Sequence, residues 1–281
     1  MEPLSPKGCS INTATLGFKV PIGRVIEQIA SHGFGAISPW RRELVGQNVR
    51  AVARQIRDAG LKVSGYCRSS PIPALTSDER EALHSDNCIA LVEAAELGAE
   101  SFVIVAGTLP DGSKDIEGAR DQAAQGIDRL LREAEKLDLP LAIEPLHPMY
   151  AADRCCINTL AHALDICMAV DSSNSRNIGV VIDAYHVWWD PNLTAQISRA
   201  GAGRRIRGFH ICDWLNPITD TLMDRGMMGD GVINLKQLRR SVIGAGYCGF
   251  AEIEIFSDRW WKRENEEVLR SCCRALNDIS I

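Results

Sequence analysis

Glu144, Asp183, His210 and Glu254 are residue types that together could hold a divalent cation, and each closes an apolar run. The runs are Leu-Ala-Ile-Glu at 141–144, Gly-Val-Val-Ile-Asp at 179–183, Ile-Arg-Gly-Phe-His at 206–210 and Ala-Glu-Ile-Glu at 251–254. Such runs read as buried strands, so all four residues sit where strands end. Pro145, which cannot donate a ladder hydrogen bond, marks the end of the first. Three carboxylates and an imidazole suit manganese, magnesium or cobalt better than structural zinc, whose CxxC spacing is absent. Without a cation the acidic tips would repel one another. In the last run, residues two apart share a face and the later lies nearer the rim, so Glu254 is the better ligand. Glu252 is placed deeper or at a neighbouring strand, where a lysine or arginine partner is expected.

Further polar residues accompany three of these tips: His147, His186 and Asp213 each follow a ligand by three positions. The other histidines, His32, His84 and His162, fall on helices or their ends and read as surface or packing residues. All six tryptophans, among them Trp40, Trp188 and Trp214, fall in loops after strands. They could pack loops together or form an aromatic wall against the C–H faces of a sugar.

Eight strand and helix units must position these residues. Strands are expected at Cys9–Thr13, Phe34–Ser38, Leu61–Tyr66, Ser101–Ala106, about 139–144, Ile178–Asp183, Ile206–His210 and Gly249–Ile255. Amphipathic helices follow each, with a capping box at Thr76-Ser77-Asp78-Glu79 opening the third. The alternation predicts an α/β fold, a single (β/α)8 TIM barrel domain over 1–281, which gathers strand ends on one face. The alternative is a doubly wound open sheet. Its dinucleotide fingerprint should follow the first strand, whereas the GxGxxG of this chain, at 244–249, ends a helix.

Composition narrows the partners. The chain has 281 residues, 46% of them hydrophobic and 24% charged, enough for a substantial core. A net charge of −5 with no basic stripe excludes nucleic acid as a default partner. The ten cysteines, with no apolar leader ahead of them, read as reduced small hydrophobes in a cytoplasmic protein. No apolar stretch is long enough to cross a membrane. The tryptophan-bearing loops suggest a homo-oligomer.

Glu144, Asp183-x-x-His186, His210-x-x-Asp213 and Gly246-Tyr247 leading to Glu254 resemble the xylose-isomerase-like barrel superfamily of sugar isomerases, epimerases and inosose dehydratases. The resemblance covers nearly the whole chain, with the motifs concentrated after residue 140. The stretch 225–231 resembles the family's loop before its last helix and strand. By resemblance to ketose 3-epimerases, Glu144, Asp183, His210 and Glu254 bind one divalent metal ion. Manganese is the expected ion, with magnesium, cobalt or zinc as alternatives. Glu144 and Glu254 would exchange the proton, and His186 would contact substrate oxygens; beside them, Asp213, Arg225, Trp40, Trp188 and Trp214 are the expected further contacts to a small sugar or polyol.

The implied activity is isomerisation or epimerisation by proton abstraction beside a carbonyl, through an enediolate. Elimination from a keto sugar or keto inositol is the alternative. It includes the C-glycoside deglycosidases, which would use His147 as a base and need a small β-rich partner subunit. A non-catalytic sugar-binding barrel is a third reading. Endonuclease IV, in the same superfamily, needs further histidines that this chain lacks.

Overall fold

A computed structural model describes residues 4–172 and 174–278. Its strands are β1 (Cys9–Asn12), β2 (Ala36–Ser38), β3 (Lys62–Val63), β4 (Phe102–Ile104), β5 (Leu141–Ile143), β6 (Ile178–Asp183), β7 (Ile206–Ile211), β8 (Asp213–Trp214), β9 (Arg225–Gly226) and β10 (Ala251–Ile253). All but β8 and β9 form one parallel sheet in the order β3-β2-β1-β10-β7-β6-β5-β4. Isolated bridges join its two ends, Val63 to Ala99 and Tyr66 to Phe102. There Tyr66 N donates to Ser101 O at 3.0 Å, and Val103 N donates to Tyr66 O at 3.0 Å. The result is a closed (β/α)8 barrel.

Long helices alternate with the strands at Ile22–Ser31, Val49–Asp58, Ser77–Leu97, Ile116–Glu135, Leu160–Val170, Leu193–Ala202, Leu235–Gly244 and Asn265–Asp278. The expected capping box forms: Thr76 Oγ1 accepts from Glu79 N at 3.2 Å, and the Glu79 carboxylate accepts from Thr76 N at 3.0 Å. The segment 244–249 ends a helix and leads into β10, as its composition implied. Among the described residues no helix is long and apolar enough to cross a membrane.

The main core lies between sheet and helices, because alternate strand residues such as Ile11, Ile37, Ile143, Ile182, Ile211 and Ile253 point outward. The barrel interior is divided. One side holds a small apolar cluster of Cys67, Val103, Ala142 and Val181, with Trp40 packed on it. The other side holds buried Ser10, Asn12, Ser38 and Glu252. Polar groups in that position need partners: Asn12 Nδ2 donates to Glu252, Ser10 Oγ accepts from Ser64 Oγ, and Ser38 Oγ donates to Gly65 O. All ten cysteines are free thiols, and burial pushes that of Cys9 up to about 12.

Candidate metal centre

Asp183, His210 and Glu252 are register neighbours across β6, β7 and β10. Glu144 and Glu254 follow directly on β5 and β10. Strands β5, β6, β7 and β10 are consecutive in the sheet, so the inward side chains at their C-terminal ends converge. Glu144, Asp183, His210 and Glu254 each offer a ligand atom, all within 4.8 Å of one another, and all four are buried. Glu144 Oε1 lies 2.9 Å from His210 Nδ1. Yet neither atom is aligned for a hydrogen bond with any partner. Two orphaned polar atoms facing a common point are what a cation's donor set looks like, and three carboxylates with one imidazole have the right chemistry for a divalent ion.

Two cationic groups offset part of the local negative charge. Arg225 Nη1 lies 3.2 Å from Asp183 Oδ2 and 3.1 Å from Glu254 Oε2. Burial pulls the His210 pKa down, but Glu252, Glu144 and Glu254 outweigh it and hold the ring well above its ordinary value. Burial pushes Glu144 up to about 7. It pushes Glu254 upward too, but His210 and Arg225 more than offset that and leave it at about 2.

Glu252 sits deeper, as its strand position implied, but its partner is neither lysine nor arginine. It accepts from Asn12 Nδ2 at 2.8 Å and from Ser64 Oγ at 2.8 Å, and faces His210 Nε2 at 3.5 Å. Neutral donors suffice because the histidine itself carries the countercharge. A carboxylate behind a ligand histidine fixes the ring and raises its basicity.

A cavity of about 140 Å³ opens above these groups. Of the four ligands, Glu144 and Glu254 line it, whereas Asp183 and His210 lie behind. His186, Arg225 and Trp40 also line it. His186 Nδ1 accepts from His147 N at 3.2 Å, and its Nε2 lies 3.2 Å from Arg225 Nη2. Burial drives the His186 pKa down to about 3, so the ring is neutral.

The other expected contact residues are placed elsewhere. His147 stacks on Trp214 with ring centres 4.9 Å apart, and its Nδ1 accepts from Met149 N at 3.2 Å. Trp214 also covers Tyr185 and Trp188, at 4.7 and 5.6 Å. Asp213 accepts from the backbone N–H groups of Trp214, Gly229 and Ile233 at 2.9, 2.9 and 3.0 Å. It staples the loop that carries Arg225. Trp40 packs on Phe256 at 5.3 Å, and its Nε1 donates to Asn12 Oδ1 at 2.7 Å. Five of the six tryptophans thus form two loop-packing clusters while Trp260 lies under Arg259 and Arg263, and of the six Trp40 reaches the cavity wall.

Phe256, Tyr150, Leu222, Cys67, Arg68 and Arg154, with Val105 and Leu146, complete the lining. Phe256 was within reach of the pattern, two residues past Glu254 on the same face. Leu222 and Arg154 lie in irregular loops that no periodicity marks.

Relatives agree with this architecture. A protein of known structure, SMc04130 from Sinorhizobium meliloti 1021, is 48% identical, with a TM-score of 0.93 over 97% of this chain and 98% of its own. The IOLI protein, whose structure holds a zinc atom, superposes with a TM-score of 0.82 at 19% identity over 97% of each chain. An inosose isomerase from Halalkalibacterium halodurans is 25% identical over 146 residues, 50% of this chain and 50% of its own. The chain therefore matches about half the length of that curated relative. Residues 26–278, a range that includes all four convergent ligands, match a family model, and the chain belongs to the xylose isomerase-like TIM barrel family.

Proposed function

We propose that the protein is a divalent-metal-dependent sugar or polyol isomerase or epimerase that moves a proton beside a carbonyl through an enediolate. One observation carries this: Glu144 and Glu254, the two ligands on the outer strands of the four, both face the cavity from different sides. A carbon atom between them is open to proton removal by one carboxylate and return by the other. Glu144, Asp183, His210 and Glu254 would hold the ion, with manganese the first choice. The ion would supply Lewis-acid polarisation of the carbonyl and stabilise the negative charge that develops on oxygen.

The remaining groups bind and orient. Arg225 and neutral His186 present polar atoms to substrate oxygens, and Trp40 with Phe256 offers an apolar face to C–H groups. Arg225 is steadied by the rings of Tyr185 and Phe256, 4.4 and 5.1 Å from its guanidinium carbon. His147, packed on Trp214 with Nδ1 engaged, offers little support for an eliminating mechanism that would use it as a base.

The test is metal analysis, followed by deuterium exchange from heavy water into a panel of ketoses, inososes and 3-keto glycosides. Metal-dependent incorporation beside a carbonyl, lost by about 10²-fold or more in Glu144→Gln and in Glu254→Gln, is the expected result. Full exchange in both metal-loaded variants would refute the paired-carboxylate mechanism.

A further inference from the structure

Arg68 and Arg154 are unused by that chemistry. Both line the metal-site cavity and also a wider groove of about 760 Å³ that adjoins it. They stand at the junction of the two spaces. Both are half-buried, yet among the described residues neither guanidinium has a hydrogen-bond or ion-pair partner. Most other arginines near this face are paired, as Arg41 is with Asp86 and Glu93. A partly desolvated guanidinium without an acceptor leaves its N–H donors unsatisfied.

The segments that carry them are firmly built. Ser69 donates through N to Val103 O at 3.2 Å and through Oγ to Val105 O at 3.0 Å, and Ser70 N donates to Asn87 Oδ1 at 2.8 Å. Across the junction, Arg154 N donates to Tyr150 O at 3.0 Å, and Thr108 Oγ1 donates to Ala151 O at 2.7 Å. The Arg154 guanidinium carbon lies 5.5 Å over the Tyr150 ring. A cavity of about 140 Å³ is small enough that one compact ligand meets groups on all its walls.

We infer that Arg68 and Arg154 form an oxyanion subsite, and that the substrate is a sugar or polyol derivative bearing a carboxylate or phosphate at the end remote from the reacting carbon. This rests on the proposed function for the reacting end but not for the anion's binding. Guanidinium forks match either oxyanion. They also oppose the field of the acidic ligands, which would otherwise repel a charged substrate in a chain of net charge −5. Glu79, Asp111 and Asp153 line the outer groove, so the anion's place is at the junction and not farther out.

The test is calorimetric titration with erythritol, erythronate and erythritol 4-phosphate, with and without manganese. At least one charged probe should bind tenfold or more tighter than erythritol. Arg68→Met and Arg154→Met should each remove that preference, while Arg68→Lys and Arg154→Lys retain part of it. Manganese affinity should stay within twofold in all four variants. Which charged probe binds tighter identifies the anion. Equal binding of charged and neutral probes, no binding of either charged probe, or a preference that survives both methionine variants overturns the inference. Because the preference is also read without manganese, a failure of the metal chemistry leaves a separate signature.

Discussion

Glu252→Gln isolates the charge behind the ligand histidine while leaving its shape. Glutamine can keep the Asn12 Nδ2 donor on its carbonyl oxygen and turn its amide toward Ser64 Oγ, whose proton then turns to Ser10 Oγ, 2.6 Å away. What is lost is the negative charge 3.5 Å from His210 Nε2. Exchanging a charge-assisted contact for a neutral one removes about 1–1.5 kcal/mol, or about tenfold in metal affinity. The assay is manganese titration followed by the electron paramagnetic resonance of free Mn²⁺, with circular dichroism to verify the fold. We expect about a tenfold weaker dissociation constant with an unchanged spectrum. A folded variant that binds manganese within twofold of the parent would refute the role given to Glu252.

Metal uptake should release protons, because Glu144 is held near 7 by burial and His210 is held protonated by its carboxylate neighbours. Both must deprotonate to act as ligands, so manganese affinity falls by about tenfold per pH unit below the raised His210 value and more steeply below about 7, where Glu144 also takes a proton; calorimetry in buffers of different ionisation enthalpy counts the protons. Arg225→Met removes the cation between Asp183 and Glu254, and should destabilise the metal-free protein by about 3 kcal/mol in urea titrations, less once manganese is bound. Manganese at about a hundredfold over its dissociation constant should raise Tm by about 5 °C or more, reversed by chelator and absent in Asp183→Asn. Asp213→Ala orphans three backbone donors and should cost about 2–4 kcal/mol in the same titrations. Gly231→Ala should disturb the same loop, since an added Cβ would stand 2.2 Å from Trp214 O and 2.6 Å from Asp213 Oδ1.

The barrel and its ligand ring were legible because both are periodic. Apolar strands and capped helices recur along the chain, and each ligand stands where an apolar run stops. Period-two alternation separated Glu254 from Glu252. What escaped is irregular or depends on pairing across the barrel. The identity of the Glu252 partners required knowing that Asn12 and Ser64 point into the same interior. The short helices Ala184–Val187 and Asp258–Trp261 and the β8–β9 pair follow directly on ligand-bearing segments, too short for a periodic signal. Tryptophan position after strands indicated the correct face but not orientation, so Trp188 and Trp214 pack other aromatics while Trp40 reaches the cavity.

The uneven closure of the ring has a mechanical consequence. Every ligand strand belongs to the continuous stretch β5-β6-β7-β10, whereas between β3 and β4 the ladder gives way to isolated bridges and separate backbone bonds such as Glu100 N to Val63 O and Ser69 N to Val103 O. Regular strand pairing is thus concentrated under the ion's donors, whereas the side that bears Arg68 and the outer groove is held by individually placed bonds. Amide hydrogen exchange should run faster at Tyr66 and Val103 than at Val181 and His210. A barrel built this way keeps its most regular pairing where the reacting geometry must not shift.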